Sequence, residues 1–285
     1  MSTTRSARSR PSAPPGWQPY PLAGTGGEGQ VTLLVRRGIA SPELRNRRDV
    51  WVALPPGAAD GARYPVVYMQ DGQNLFDPAI SANGDWGLAG TLAALASDGC
   101  PAIVAGIANT GARRGFEYSP FRDPVHAGGG GDRYLSFVVG TLKPHIDAVF
   151  PTEPDRRHTV VAGASLGGLI SLYAFFRHPS VFGAAAALSP SIWFGGRAVL
   201  RFIAERPAPA AGLLYFDAGT EEDADLVADV GRLRDLLEAQ GRREGDGYRS
   251  VVDPGAGHDE GAWGRRFRAA LPYLLGRCAR ATTAG

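Results

Sequence analysis

Thr159-Val160-Val161-Ala162-Gly163-Ala164-Ser165-Leu166-Gly167-Gly168-Leu169-Ile170 is the stretch whose reading decides the fold. Its β-branched run stops at Gly163, one small residue precedes Ser165, and two glycines close the turn. Ser171-Leu172-Tyr173-Ala174-Phe175-Phe176 then continues with helical spacing. The pattern predicts strand, sharp turn, helix, in the Gly-x-Ser-x-Gly arrangement that lifts a nucleophilic serine out of a strained corner. Glycines there remove the Cβ atoms that would collide where strand and helix pack. Ser165 is the candidate nucleophile. The Leu166 N–H, at the helix N-terminus, is a candidate donor to the oxyanion that forms when a serine attacks a carbonyl. A plain small-residue turn would read the same way, so the flanking sequence must decide.

Outward from this corner, strand and helix patterns alternate in both directions. Residues 31–35 and 48–54 read as strands, and 64–69 and 102–107 are continuously apolar, as strands covered on both faces are. Residues 86–95 and 134–149 have helical spacing. Beyond the corner, 183–188 is a further buried strand, 213–216 and 248–252 are strands, 224–240 is an amphipathic helix, and a last helix closes near residue 275. The alternation predicts an α/β fold: a mostly parallel central sheet with helices on both faces. Two stretches break the rhythm. The loop Gln70-Asp71-Gly72-Gln73-Asn74-Leu75-Phe76 follows a strand, and the Gln73 N–H is a candidate second oxyanion donor; an Asp-Gly turn ahead of a buried Phe76 fits equally. Residues 108–132, with Arg113, Arg114, Arg122 and His126, read as a lid, a substrate loop or a surface insertion.

A serine hydroxyl is nearly inert at neutral pH. It needs a base, and the base needs an acid that fixes its tautomer. Of the five histidines, only His258 stands in a glycine-rich loop after the last strand, among small neighbours. His126, His145, His158 and His178 read as structural or exposed. Asp217, Glu221, Glu222 and Asp223 all follow the 213–216 strand within reach, with capping of the next helix as their alternative role. Trp193, at the same sheet edge as Ser165, either lines the pocket or fills the core.

Four motifs now stand in order: Gln70-Asp71-Gly72-Gln73-Asn74-Leu75-Phe76, Gly163-Ala164-Ser165-Leu166-Gly167-Gly168, Gly219-Thr220-Glu221-Glu222 and Gly257-His258-Asp259-Glu260-Gly261-Ala262-Trp263. Together they resemble the esterase family of α/β-hydrolases that includes enterochelin (siderophore) esterases, feruloyl esterases and the mycolyltransferases of antigen 85. The resemblance implies a single α/β-hydrolase domain over residues 30–278. It also implies Ser165 as nucleophile, His258 as base, Glu222 as acid, and the Leu166 and Gln73 amides as the oxyanion site. Some members carry Asp at the acid position, and Asp217 remains the alternative. The implied activity is serine-esterase hydrolysis of a small-molecule carboxylic ester through an acyl-enzyme, with neither metal nor cofactor. An acyltransferase to a sugar hydroxyl and an inactive binding protein of the same fold are the competing readings. Trp193, Arg113 and Arg114 are candidate substrate contacts, arginine offering a planar fork to an anionic ester.

Composition narrows the classes further. A formal charge of +2, with no Lys/Arg block on an aromatic face, argues against nucleic acid and anionic membrane partners. No apolar run approaches a membrane span and the first residues lack the apolar centre of an export signal, which predicts a cytoplasmic protein. Residues 1–29, rich in Ser, Arg, Pro and Gly, predict a disordered tail. Its Gly24-Thr25-Gly26-Gly27-Glu28-Gly29 spells a dinucleotide fingerprint but precedes a strand instead of a helix, and reads as linker. Cys100 and Cys278 match no metal spacing or redox pair and read as buried or isolated thiols.

Overall fold

Continuously apolar strands require cover on both faces, and they have it in the computed structural model, which describes residues 13–22, 29–58, 61–81, 84–206, 209 and 211–276. The sheet holds, in spatial order, β1 (Gln18–Pro19), β2 (Thr32–Ser41), β3 (Asn46–Leu54), β5 (Ile103–Ile107), β4 (Val66–Met69), β8 (Thr159–Ala164), β9 (Ala184–Leu188), β10 (Leu213–Gly219) and β11 (Tyr248–Asp253). From β5 to β11 all neighbours are parallel. β1, β2 and β3 add an antiparallel edge, because β2 and β3 are joined by a turn too short for a crossover. Side chains alternate across the sheet. Val67, Met69, Val160, Ala162 and Ala186 pack under α1 (Leu88–Ser97) and α8 (Glu260–Leu275). Tyr68, Val161, Ala185, Ala187 and Phe216 pack under α3 (Gly131–Phe137), α4 (Lys143–Val149), α5 (Leu166–Arg177), α6 (Phe194–Ala204) and α7 (Ala224–Ala239).

The topology also says where a ligand belongs. β4 is followed by a crossover to β5 on one side, and β8 by a crossover to β9 on the other. Their carboxyl ends therefore flank a switch point, the crevice in which open α/β sheets bind ligands. Ser165 stands at the end of β8.

Several elements differ from the sequence reading, each for a local reason. The helix expected over 134–149 is α3 and α4 joined by a π-type segment, Val138–Leu142, because Pro144 has no N–H to continue the regular ladder. Helix α6 escaped notice because Gly195 and Gly196 interrupt its start with positive φ. Segment 108–132 is a turn, Gly111–Arg113, then α2 (Arg114–Tyr118) and a hairpin of β6 (Arg122–Asp123) and β7 (Ala127–Gly128). It is pinned: Glu117 makes a fully buried ion pair with Arg48 at 3.0 Å, and Tyr118 is fully buried. Residues 13–22, inside the expected tail, pack instead, with Trp17 buried edge-on against Phe150 and β1 paired to β2. Residues 1–12 and 23–28, with most of the glycine fingerprint, lie outside the described residues. Cys100 is buried, as one expected alternative had it, but disulfide-bonded and not a free thiol, and Cys278 lies outside the described residues. No helix among the described residues is long and apolar enough to cross a membrane.

Candidate active site

β8 ends at Ala164 and α5 begins at Leu166, which leaves Ser165 alone at the corner with φ 58° and ψ −122°. Such a conformation costs a non-glycine residue about 1–3 kcal/mol and persists only where surroundings over-determine it. Here the Ser165 N–H donates to the Leu188 carbonyl at 3.0 Å, and the Ser165 carbonyl accepts from the Ser191 and Leu169 N–H groups, each at 3.0 Å. A Cβ on Gly163 would lie 2.7 Å from the Gly167 carbonyl oxygen, so only glycine fits below the corner. The first N–H groups of α5 have no intrahelical acceptor, and Leu166 leads them. Ser165 Oγ lies 3.3 Å from Ser191 Oγ.

His258 sits between β11 and α8, two residues ahead of the helix that Asp259 caps through the Ala262 N–H. Its Nδ1 is 2.6 Å from Glu222 Oε2, and its ring meets the edge of Trp263 at 4.8 Å. The Glu222 side chain is 1% exposed. Its Oε1 accepts from the Gly219 N–H and from Ser189 Oγ, both at 2.7 Å, and from Arg266 Nη1 and Nη2 at 3.3 Å. The direction of the serine bond follows from its neighbours. Trp263 Nε1 at 3.0 Å and Arg266 Nη2 at 2.9 Å both donate to Ser189 Oγ, so the hydroxyl proton must go to Glu222. Burial pushes the Glu222 carboxyl up, but hydrogen bonds from His258, Ser189 and Gly219 outweigh it and hold the group below its ordinary value. A carboxylate only accepts. His258 therefore carries a proton on Nδ1, and Nε2 is the ring nitrogen left free of Glu222.

The four acids after β10 separate cleanly by position. Asp217 is fully buried inside the strand, accepts from the Ser189 N–H at 2.9 Å, and has Oδ2 3.4 Å from Arg266 Nε. Burial raises its carboxyl to about 6 against the opposing pull of Arg266 and the Ser189 amide. Glu221 is exposed, and Asp223 caps α7 through the Asp225 N–H. Glu222 alone of the four reaches His258.

The loop after β4 completes the corner. Asp71 has left-handed φ and ψ of 54° and 48°, and the turn Gly72–Asn74 follows. A Cβ on Gly72 would lie 2.4 Å from the Gly106 carbonyl carbon, and one on Gly167 would lie 3.2 Å from Asp71 Oδ2. The loop is thus wedged between β5 and the start of α5. Gln73 is half-buried, with Oε1 accepting from the Asn109 N–H at 3.3 Å. Asn74 Nδ2 donates to Glu260 Oε1 at 3.1 Å, which ties this loop to the first residue of α8, two residues after His258.

The structure joins Glu222 to His258 and sets Leu166 beside Ser165, while Ser165 Oγ bonds Ser191 and not His258. Trp193 is 42% exposed, which removes the core alternative, and its ring meets His126 at 5.1 Å. Arg113 is exposed, its guanidinium 5.4 Å from the Phe116 ring centre, and Arg122 is exposed as well. Arg114 is a correction. Its Nε and Nη2 are engaged by Asp71 at 2.8 and 2.9 Å, so the fork expected to meet an anionic substrate already holds a carboxylate of the protein. Ser189, Ser191 and Arg266 were not singled out from sequence. The Ser-Pro-Ser following the strand next to β8 was the signal for the first two, and an arginine on the inner face of the closing helix the signal for the third.

The family described as "Putative esterase" matches residues 41–274, a span that contains every residue of this constellation. The chain belongs to this esterase family. It is a carboxylic ester hydrolase. The esterase is 26% identical over 255 residues to an uncharacterized protein, YbbA, of Bacillus subtilis, covering 85% of this chain and 98% of that one. It is 32% identical over 140 residues to a siderophore triacetylfusarinine C esterase of Aspergillus fumigatus, covering 48% of this chain and 47% of that protein. The esterase thus spans about half the length of that siderophore enzyme. Siderophore hydrolase EstA from Aspergillus nidulans shares the fold, with a TM-score of 0.66 at 24% identity over 86% of this chain and 94% of that one.

Proposed function

We propose that the protein is a serine esterase that cleaves small-molecule carboxylic esters through an acyl-enzyme on Ser165. The observation that carries the reading is the 2.6 Å Glu222–His258 hydrogen bond, which engages Nδ1 and leaves Nε2 to exchange a proton, in a chain whose elbow serine is strained and half-exposed. In this mechanism Ser165 Oγ leaves Ser191 for His258 as substrate binds. His258 Nε2 takes the hydroxyl proton while Oγ attacks the ester carbonyl, and the Leu166 and Gln73 amides hold the oxyanion. The C–O bond to the alcohol then breaks, and the alcohol departs with the proton from His258. A water deprotonated by His258 adds to the acyl carbon, the acid leaves, and Ser165 regains its proton. Glu222 stays ionised throughout and stabilises the imidazolium.

For the substrate, exposed Trp193 with His126 beside it, and exposed Arg113, support an aromatic and cationic rim for the acyl or alcohol part. The names of relatives, siderophore esterases and a ferulic acid esterase among them, choose the panel to assay. The first test is hydrolysis of short-chain p-nitrophenyl esters by the wild-type chain and by Ser165→Ala, prepared side by side. Turnover should vanish in the variant, and equal turnover by both would overturn the mechanism.

A further inference from the structure

Four hydrogen bonds between segment 108–132 and the loop after β4 converge on one residue, Asp71. Asn109 Nδ2 and Arg114 Nε donate to Oδ1 at 2.6 and 2.8 Å, Arg114 Nη2 donates to Oδ2 at 2.9 Å, and the Asp71 N–H donates to Tyr118 Oη at 3.1 Å. The Arg114 contact is the two-pronged geometry that gives arginine–carboxylate pairs their directionality. The residue so held has left-handed backbone angles. Asp tolerates that region without preferring it, so a released Asp71 would relax toward ordinary angles and carry the next residues with it. Those residues are Gly72, which has no room to move toward Gly106, and Gln73, whose amide is the proposed oxyanion donor.

The anchor is itself rigid. Arg114 opens α2, and the same helix buries Glu117 on Arg48 and Tyr118 against Tyr134, while the Arg114 guanidinium lies 5.3 Å from the Tyr118 ring centre. On the other side of the loop, Asn74 is tied to Glu260 near His258. The loop after β4 is therefore gripped at both ends.

We propose that Arg114 is a positioning residue: by its two-pronged grip on Asp71 it sets the Gln73 N–H where the oxyanion will form. The proposal rests on the acyl-enzyme reading above. It assigns Arg114 an action through Asp71 and no contact with substrate. Losing one oxyanion donor costs on the order of 100- to 1,000-fold in kcat, and a misplacement of about 1 Å costs about 100-fold. Arg114→Ala should therefore lower kcat about 100-fold with KM changed by less than about threefold. The loss should be equal for neutral and anionic esters, because the defect lies in the oxyanion site they share.

The experiment compares the full chain, Arg114→Ala, Arg114→Lys and Arg113→Ala on p-nitrophenyl butyrate and on a p-nitrophenyl hemisuccinate. It also follows the rate at which a neutral phosphonate labels Ser165, read by intact mass. Arg114→Ala should lose kcat and labelling rate together, Arg114→Lys should stay impaired because an ammonium has no fork, and low, non-denaturing guanidinium should restore part of the Arg114→Ala rate. Arg114→Ala with kcat within tenfold of wild type, or with a raised KM confined to the anionic ester, overturns the proposal. Should that variant fail to fold, Asp71→Asn keeps a left-handed-tolerant residue while setting an amide against the fork; kcat within about threefold of wild type then overturns it. If wild type neither turns over nor labels at Ser165, the acyl-enzyme reading falls and this proposal with it. If wild type does both and Arg114→Ala matches it, the proposal alone falls.

Discussion

Glu222→Gln exchanges one carboxylate oxygen for an N–H2 group, and the surroundings decide which way the amide must face. On the Oε1 side stand only donors: the Gly219 N–H and Ser189 hydroxyl at 2.7 Å and two Arg266 nitrogens at 3.3 Å. Turning the N–H2 toward them would bury donor against donor, so the amide oxygen takes that side and the nitrogen faces His258. The ring must then accept at Nδ1 and hold its proton on Nε2. It has no lone pair left for the Ser165 proton. In a serine-protease triad the corresponding acid-to-amide change traps the same wrong tautomer and lowers kcat about 10,000-fold, or about 5.4 kcal/mol of barrier. Loss of one charge-assisted hydrogen bond alone, about 1.5–3 kcal/mol, would cost only about 10- to 150-fold. The expected loss is on the order of 1,000- to 10,000-fold, which separates a tautomer trap from a weakened contact. The assay is kcat for p-nitrophenyl acetate, with active sites counted by phosphonate titration. A Glu222→Gln enzyme within tenfold of wild type would refute the reasoning, and a larger loss in Asp217→Asn would move the role to Asp217.

The remaining predictions concern stability. Asp217 has its carboxyl raised from an ordinary 3.8 to about 6 by burial. Its contribution is therefore fully present below the unfolded value and is lost as pH climbs through the folded one. The stability of wild type relative to Asp217→Asn, from urea denaturation, should fall by at most about 3 kcal/mol between about pH 4 and about pH 7; a difference that stays flat or grows would contradict this. Gly72→Ala would drive a Cβ to 2.4 Å from the Gly106 carbonyl carbon. It should cost about 1–3 kcal/mol or more and displace Gln73, lowering both the melting temperature and kcat. An unchanged melting temperature would show that the loop has slack the packing does not suggest.

Much of this protein is written in short-range pattern. The corner at Ser165 was legible because the residues that permit it, Gly163 before and Gly167 and Gly168 after, are neighbours in sequence, and steric clash with the local backbone decides the turn. Strand and helix alternation, and the placement of the motifs at strand ends, followed from apolar periodicity in the same way. Tail residue Trp17 was missed because one buried aromatic makes no period. The choice among acids was not legible in local pattern, where only the family resemblance pointed to Glu222. Asp217 and Glu222 lie five residues apart, and only the approach of Ser189 and of Arg266 on α8 turns Glu222 toward His258 while sealing Asp217 in the sheet. Arg114 shows the same limit. A guanidinium in a polar loop suits a substrate anion and a protein carboxylate equally, and Asp71 lies 43 residues away in sequence. Sequence alone determined the fold class, the serine corner and the candidate base, since those depend on backbone geometry imposed by adjacent residues. Tertiary structure decided which polar groups meet, because a hydrogen bond between distant residues exists only once packing has removed water and brought donor and acceptor within about 3 Å.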